Sequence, residues 1–191
     1  MRYLIVCGGK IDKEFGLNEI KTDGIDAIIA ADSGMDFLYE NGVTPDIIVG
    51  DFDSATTKAL EFFERKGQTE IHRLNPIKDD TDTEYAIRLA IREGARSIVM
   101  LGATGSRIDH VLGNISLLGI GLESKTDISI IDTNNRIRMA DKPVTIEKSA
   151  QYGRFVSLIA VTDDNEVSLR GFKYPVTDYS FDRFTSLGIS N

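Results

Sequence analysis

Ala27-Ile28-Ile29-Ala30-Ala31-Asp32-Ser33-Gly34 is a short apolar run that stops at an acid and a glycine, and Ile47-Ile48-Val49-Gly50-Asp51-Phe52-Asp53-Ser54 repeats the arrangement. Runs this short, small or β-branched throughout, read as buried strands. Tyr3 to Cys7, Glu70 to Leu74 and Ser97 to Leu101 are further strand candidates. Between them, helical spacing runs from Gly34 to Asn41, Thr56 to Lys66, Thr83 to Glu93 and about Asp109 to Gly119. In the third of these helices Ala86, Ile87, Ala90 and Ile91 supply the apolar stripe. Gly42, Gly67 and Gly94 each follow a helix, where a left-handed cap needs glycine. Strands alternating with helices predict an α/β fold, a parallel sheet with crossover helices.

After Glu123 the helical period gives way to short alternating runs, Ile128 to Ile131, Arg136 to Met139, Val144 to Glu147, Phe155 to Val161 and Val167 to Leu169. The change predicts two domains, 1–123 in the α/β style and 124–191 as an all-β unit.

Composition narrows the function classes. Hydrophobic residues make up 41% of the 191, enough to build a core. Lys and Arg number 22 against 30 Asp and Glu, and the net charge of −8 has the wrong sign for a phosphate backbone, so no nucleic-acid partner is expected. The single cysteine, Cys7, sits in an apolar run and reads as a core residue of a reduced protein, which points to the cytoplasm. That run ends at Gly8-Gly9, too short for a signal segment or a membrane span, so no membrane association is expected.

Four groups of acids lie just past strand candidates, where an open α/β sheet forms its ligand crevice. They are Asp32; Asp51 with Asp53; Asp79, Asp80 and Asp82; and Asp109. Carboxylates gathered this closely repel or take up protons unless a divalent cation neutralises them. Hard oxygen donors, few in number, suit Mg²⁺, with water and phosphate completing its shell. Asp is also common at helix N-caps, and Asp53, Ser54 and Asp82 each fit that role. The pairing of Asp51 with Asp53 goes beyond it, since a cap needs one acid.

Lys78 and Arg107 stand among these acids and suit phosphate oxygens, Arg107 with a planar fork. Gly102-Ala103-Thr104-Gly105-Ser106 offers backbone N–H groups for a phosphate without the spacing of a P-loop. His110 and His72 read as packing or hydrogen-bonding histidines, because no Ser or Cys nucleophile constellation accompanies them. The pattern predicts a magnesium-dependent enzyme that handles a nucleotide or another phosphate compound.

Taken as whole strings, four segments resemble the thiamine pyrophosphokinase family. These are Ala31-Asp32-Ser33-Gly34 through Pro45-Asp46, Gly50-Asp51-Phe52-Asp53-Ser54, Lys78-Asp79-Asp80-Thr81-Asp82-Thr83-Glu84, and Gly102 to His110 with Asn114. Gly171-Phe172-Lys173-Tyr174-Pro175 and Gly188-Ile189-Ser190-Asn191 resemble its C-terminal segments. The resemblance implies a Rossmann-like α/β domain, a C-terminal β-sandwich, and a homodimer with thiamine in a cleft shared by both subunits. It implies transfer of diphosphate from ATP to the thiamine hydroxyl with release of AMP. By the same resemblance, Asp51, Asp53 and Asp82 are catalytic, and with Asp32 and Asp79 they hold Mg²⁺ and the triphosphate. Lys78, Thr104, Arg107 and Asp109 would bind nucleotide, with Ser190 and Asn191 near the thiamine. Asp51 or Asp82 is the candidate base.

The chain departs from the family in having no Trp, so any aromatic wall for the thiamine ring falls to Phe or Tyr. Three other readings fit parts of the pattern: a diphosphokinase acting on a hydroxymethylpterin, a phosphatase of the haloacid-dehalogenase type, and a nucleotide-sensing domain without turnover. The phosphatase reading draws on Asp51-Phe52-Asp53 but meets Ala55 where Thr or Val is expected.

Overall fold

A computed structural model describes residues 1–52, 57–75, 77, 80–163 and 165–191. Asp53, Lys78 and Asp79, named above as site residues, lie outside the described residues. Contacts divide the chain into Met1–Thr145 and Ile146–Asn191.

The first unit runs β1 (Arg2–Val6), α1 (Lys13–Ile20), β2 (Ala27–Ala31), α2 (Gly34–Glu40), β3 (Ile47–Gly50), α3 (Thr57–Lys66) and β4 (Glu70–Arg73). It continues with α4 (Asp82–Arg92), β5 (Ser97–Leu101), α5 (Ile108–Ser124), β6 (Asp127–Ile131) and β7 (Arg136–Arg138). The seven strands form one sheet in the order β4-β3-β2-β1-β5-β6-β7. All neighbouring pairs are parallel except β6 with β7. The chain first builds outward from β1 to β4, then returns to pair β5 with the other side of β1. Such a reversal opens a crevice at the carboxyl ends of the two central strands.

The central strands are buried on both faces, which explains their unbroken apolar sequence. Leu4, Ile5, Val6, Ile29, Ala30, Ile48 and Val49 are 0–1% exposed. Each larger side chain among them contributes roughly 1.5–3 kcal/mol relative to an exposed position. One face of the sheet packs on α4 and α5 through Ile5, Ile29, Ile87, Ala90, Ile98 and Leu118. The other packs through Leu4, Val6, Met35, Leu38, Ile48 and Phe63. Cys7 is buried beside Thr83, and burial pushes its thiol up to about 12. Gly42, Gly67 and Gly94 close their helices at φ 68°, 64° and 89°, as their positions predict.

Two features differ from the sequence reading. The helical spacings named above leave the stretch between β1 and β2 unassigned, and α1 forms there, capped by the Asp12 carboxylate, which accepts the Phe15 N–H at 2.9 Å. The division of the chain also falls later than residue 124. Loss of helical period there marks the end of α5, after which β6 pairs with β5 in parallel, Ser97 opposite Asp127, and β7 turns back on β6.

The second unit contains β8 (Asn165–Leu169) and β9 (Val176–Phe181), an antiparallel pair over the buried Leu169 and Phe181. Of the alternating runs expected as strands, Val167 to Leu169 lies in β8, while Val144 to Glu147 and Phe155 to Val161 join no ladder. The latter run is tied instead to the chain's last residues. Val156 and Asn191 exchange backbone hydrogen bonds at 3.0 and 2.9 Å, and the Leu158 N–H donates to Gly188 at 2.9 Å.

Close approach at the head of α2 fixes Gly34, where a Cβ would lie 2.0 Å from the Val6 carbonyl oxygen. Gly34→Ala should therefore destabilise the protein by about 1–3 kcal/mol, the cost of overpacking a rigid contact. A fall in the urea unfolding midpoint at unchanged slope checks it.

Candidate active site

Asp32 follows β2 directly and has a left-handed backbone, φ 51°, with its N–H donating to Val49 O at 2.8 Å. Bonding across to β3 turns the chain sharply out of β2 and into α2. Asp51 follows β3, and Phe52 after it is also left-handed, φ 61°, its ring lying under the Arg73 guanidinium at 5.3 Å. Non-glycine residues at positive φ are costly and collect at functional sites. Asp82 arrives from a different element as the first residue of α4. The cap of α4 is Thr81, whose hydroxyl accepts the Glu84 N–H at 3.2 Å. Asp82 is thus not the N-cap that its position in the sequence also allowed.

These three half-buried acids converge, with one carboxylate oxygen from each of Asp32, Asp51 and Asp82 lying within 4.8 Å of the others. Adjacent oxygens around an octahedral Mg²⁺ are about 3 Å apart and opposite ones about 4.2 Å, given metal–oxygen bonds of 2.0–2.1 Å. The donor type and the separation of the cluster suit a divalent cation.

The β5–α5 loop forms the other wall of the crevice. Gly9 N–H donates to Gly102 O at 2.9 Å, and Asn114 Nδ2 donates to Ala103 O at 2.9 Å. Thr104 donates its hydroxyl to Asp132 Oδ2 at 2.7 Å. Gly102 has φ 68°, and a Cβ there would stand 2.4 Å from the Cys7 carbonyl oxygen.

Arg107 precedes α5, and its fork grips Asp109 through Nε at 3.3 Å and Nη2 at 2.7 Å. That hydrogen bonding holds the Asp109 carboxyl below its ordinary range and raises the Arg107 guanidinium above its own. Both side chains are exposed, so the pair adds little stability and exchanges easily for a ligand. Asp109 lines a groove of about 370 Å³ with Thr81, Thr83, Glu84, His110 and Asn114. A concavity of about 380 Å³ lies between the last turns of α4 and α5, away from the carboxyl ends of the strands.

In the second unit Ser190 is left-handed at φ 62°, and its N–H donates to the Ser157 hydroxyl at 3.0 Å. Asn191 binds Tyr174 on both sides of its carboxamide, accepting from N at 2.8 Å and donating to O at 2.7 Å. His72 bonds Tyr85 and Glu70, and so behaves as the hydrogen-bonding histidine its place in a strand suggests. Asp132 is an acid of this region that the sequence reading passed over, although it too stands just past a strand.

A doubly wound sheet with carboxylates gathered at the carboxyl ends of its strands, beside the switch point, defines an α/β enzyme of the nucleotide-handling class. The family model for the thiamin pyrophosphokinase catalytic domain matches residues 21–131, and that for the thiamin pyrophosphokinase vitamin B1 binding domain matches residues 143–191. Thiamine pyrophosphokinase of Bacillus subtilis is 36% identical over 165 residues, covering 85% of this chain and 76% of the relative. The crystal structure of thiamine pyrophosphokinase from Bacillus subtilis superposes with a TM-score of 0.86 at 33% identity, covering 100% of this chain and 88% of that one. Thiamin pyrophosphokinase from Geobacillus thermodenitrificans gives 0.77 at 29% identity over 96% of this chain and 84% of that one. The chain belongs to the thiamin pyrophosphokinase family. It is an enzyme, a diphosphotransferase, and the phosphatase, pterin and sensor readings fall away.

If the three acids form a metal site, Mg²⁺ at 100 times its dissociation constant should stabilise the protein by about 2.7 kcal/mol. The midpoint of thermal unfolding should rise by several degrees. Asp51→Asn should abolish that rise. Differential scanning calorimetry with and without Mg²⁺ checks both.

Proposed function

We propose that the chain transfers the terminal diphosphate of ATP to the hydroxyl of thiamine, releasing AMP. The nucleotide lies in the crevice at the carboxyl ends of β1, β2, β3 and β5. The observation that carries this reading is the convergence of Asp32, Asp51 and Asp82 at that crevice in a member of this family. Those three, with Asp53, would hold Mg²⁺, which when bound neutralises the triphosphate and draws charge from the transferring group.

The thiamine hydroxyl attacks the β-phosphorus, the bond from that phosphorus to the bridging oxygen of AMP breaks, and the hydroxyl proton must leave. Asp51 or Asp82 would take it. By the family resemblance Lys78 would bind the nucleotide, and Asp79 would help to hold the metal and the triphosphate. Arg107 keeps three of its five N–H groups when paired with Asp109, enough to reach a phosphate oxygen. Asp109 would meet the nucleotide from the groove it lines. Protein groups here orient and neutralise, and no phosphorylated side chain is required.

The vitamin B1 binding match over residues 143–191 supports assigning thiamine contacts to the second unit. Ser190 offers its hydroxyl there. The Asn191 carboxamide is engaged with Tyr174, so Asn191 would shape the pocket rather than grip the substrate. Phe155, Ile159, Tyr174 and Phe184 are more than half exposed in this unit, which supports a homodimer that covers them. Among the described residues no helix is long and apolar enough to cross a membrane, and the buried lone thiol agrees with a reducing cytoplasm.

Incubation with ATP, Mg²⁺ and thiamine should yield AMP and thiamine diphosphate in equal amounts. Formation of ADP, or of inorganic phosphate independent of thiamine, would refute the reading. Asp51→Asn should lower kcat at least about 100-fold with the fold retained.

A further inference from the structure

Asp132 stands past β6 as Asp51 stands past β3. Its Oδ1 accepts the N–H groups of Asn134 and Asn135, each at 2.7 Å, and the Asn135 side-chain amide at 3.0 Å. Its Oδ2 accepts the Thr104 hydroxyl at 2.7 Å. Burial pushes the Asp132 carboxyl up, but the hydrogen bonds from Thr104, Asn134 and Asn135 outweigh it and hold the group below the ordinary carboxylate range. An ionised carboxylate can only accept hydrogen bonds. The one hydroxyl proton of Thr104 is therefore committed to Asp132, and only lone pairs remain for anything else that approaches Thr104. Lone pairs repel a phosphate oxygen and accept a hydrogen from an O–H or N–H group.

Position agrees with this polarity. Thr104 follows β5, while Asp32 and Asp51 follow β2 and β3 on the far side of β1. At about 4.8 Å per strand the two walls are separated by about 10–14 Å. A polyphosphate anchored at the acids crosses that gap before its sugar begins. The β5–α5 loop is also pinned at Gly102 and Ala103 by Gly9 and Asn114, so Thr104 does not depend on its own hydroxyl to stay in place.

We propose that Thr104, fixed as a hydrogen-bond acceptor by Asp132, reads a hydroxyl or amino hydrogen on the nucleoside half of the phosphate donor. Asp132 is the positioning residue. The inference rests on the nucleotide reading of the crevice given above, and it assigns to Thr104 a role in choosing nucleoside triphosphate over bare polyphosphate.

Equilibrium dialysis with ATP and with inorganic tripolyphosphate, each with Mg²⁺, separates the possibilities for the wild type, Thr104→Val and Thr104→Ser. Thr104→Val should weaken ATP about five- to tenfold, the loss of one neutral hydrogen bond, and leave tripolyphosphate unchanged. Thr104→Ser should keep ATP affinity within about twofold, because the hydroxyl and its bond to Asp132 are preserved. Asp132→Ala should weaken ATP by a smaller factor and spare tripolyphosphate, since Thr104 remains but is no longer oriented. In steady-state assays Thr104→Val should raise the KM for ATP and not that for thiamine. An equal loss for both ligands, no loss for either, or a rise in the thiamine KM instead would overturn the assignment. Should the ligands bind as expected while no thiamine diphosphate forms, the proposed reaction fails and the reading of Thr104 stands.

Discussion

Like charges confined to a few ångströms repel, and the site of this protein consists of such a confinement. Asp32, Asp51 and Asp82 come from the ends of two strands and the start of a helix, far apart in the sequence. Burial of β1, β2 and β3 on both faces supplies the opposing force. Each strand end is a fixed point because the side chains behind it are close-packed and its backbone is paired on both sides. The left-handed turns at Asp32 and Phe52 then redirect the chain at the rim. The apolar core and the polar site are accordingly one construction.

The two walls of the crevice hold their carboxylates differently. On the β2–β3 side acids gather, suited to a cation and through it to phosphate. On the β5–β6 side the carboxylate of Asp132 is satisfied by Thr104, Asn134 and Asn135 and works through its neighbours. Arg107 and Asp109 stand at the entrance to α5 as an exposed pair that a phosphate can open at small cost. A diphosphotransferase needs such an asymmetry, because one end of its donor is densely charged and the other is a heterocycle with a sugar.

Much of this was legible in the sequence. Buried parallel strands leave continuous apolar runs, and β2, β3 and β5 appear where those runs predict them, followed by the acids. What escaped was legible only weakly. Helix α1 carries Gly16 in its middle, where a Cβ would strike Ile11 and the Phe37 ring, so its sequence looks like a poor helix although its packing requires one. Only the Asp12 cap marked its start. The runs at β6 and β7 looked like the opening of a new unit because α5 ends the last helical period, and pairing between β5 and β6 is not written in either strand alone. Asp132 was hidden by its surroundings. Asp132-Thr133-Asn134-Asn135 reads as a turn, which it is, and its bond to Thr104 spans 28 residues.

The strand order also bears on how the chain matures during synthesis. Strand β1 is made well before β5, yet one of its two edges waits for that strand, with Arg2 pairing opposite Ser97. Until β5 has emerged, a buried central strand of the sheet has an open side, and contacts so distant in sequence form slowly. Nascent chains of this topology are obliged to shelter that edge, and slowed elongation before β5 would prolong their susceptibility to aggregation.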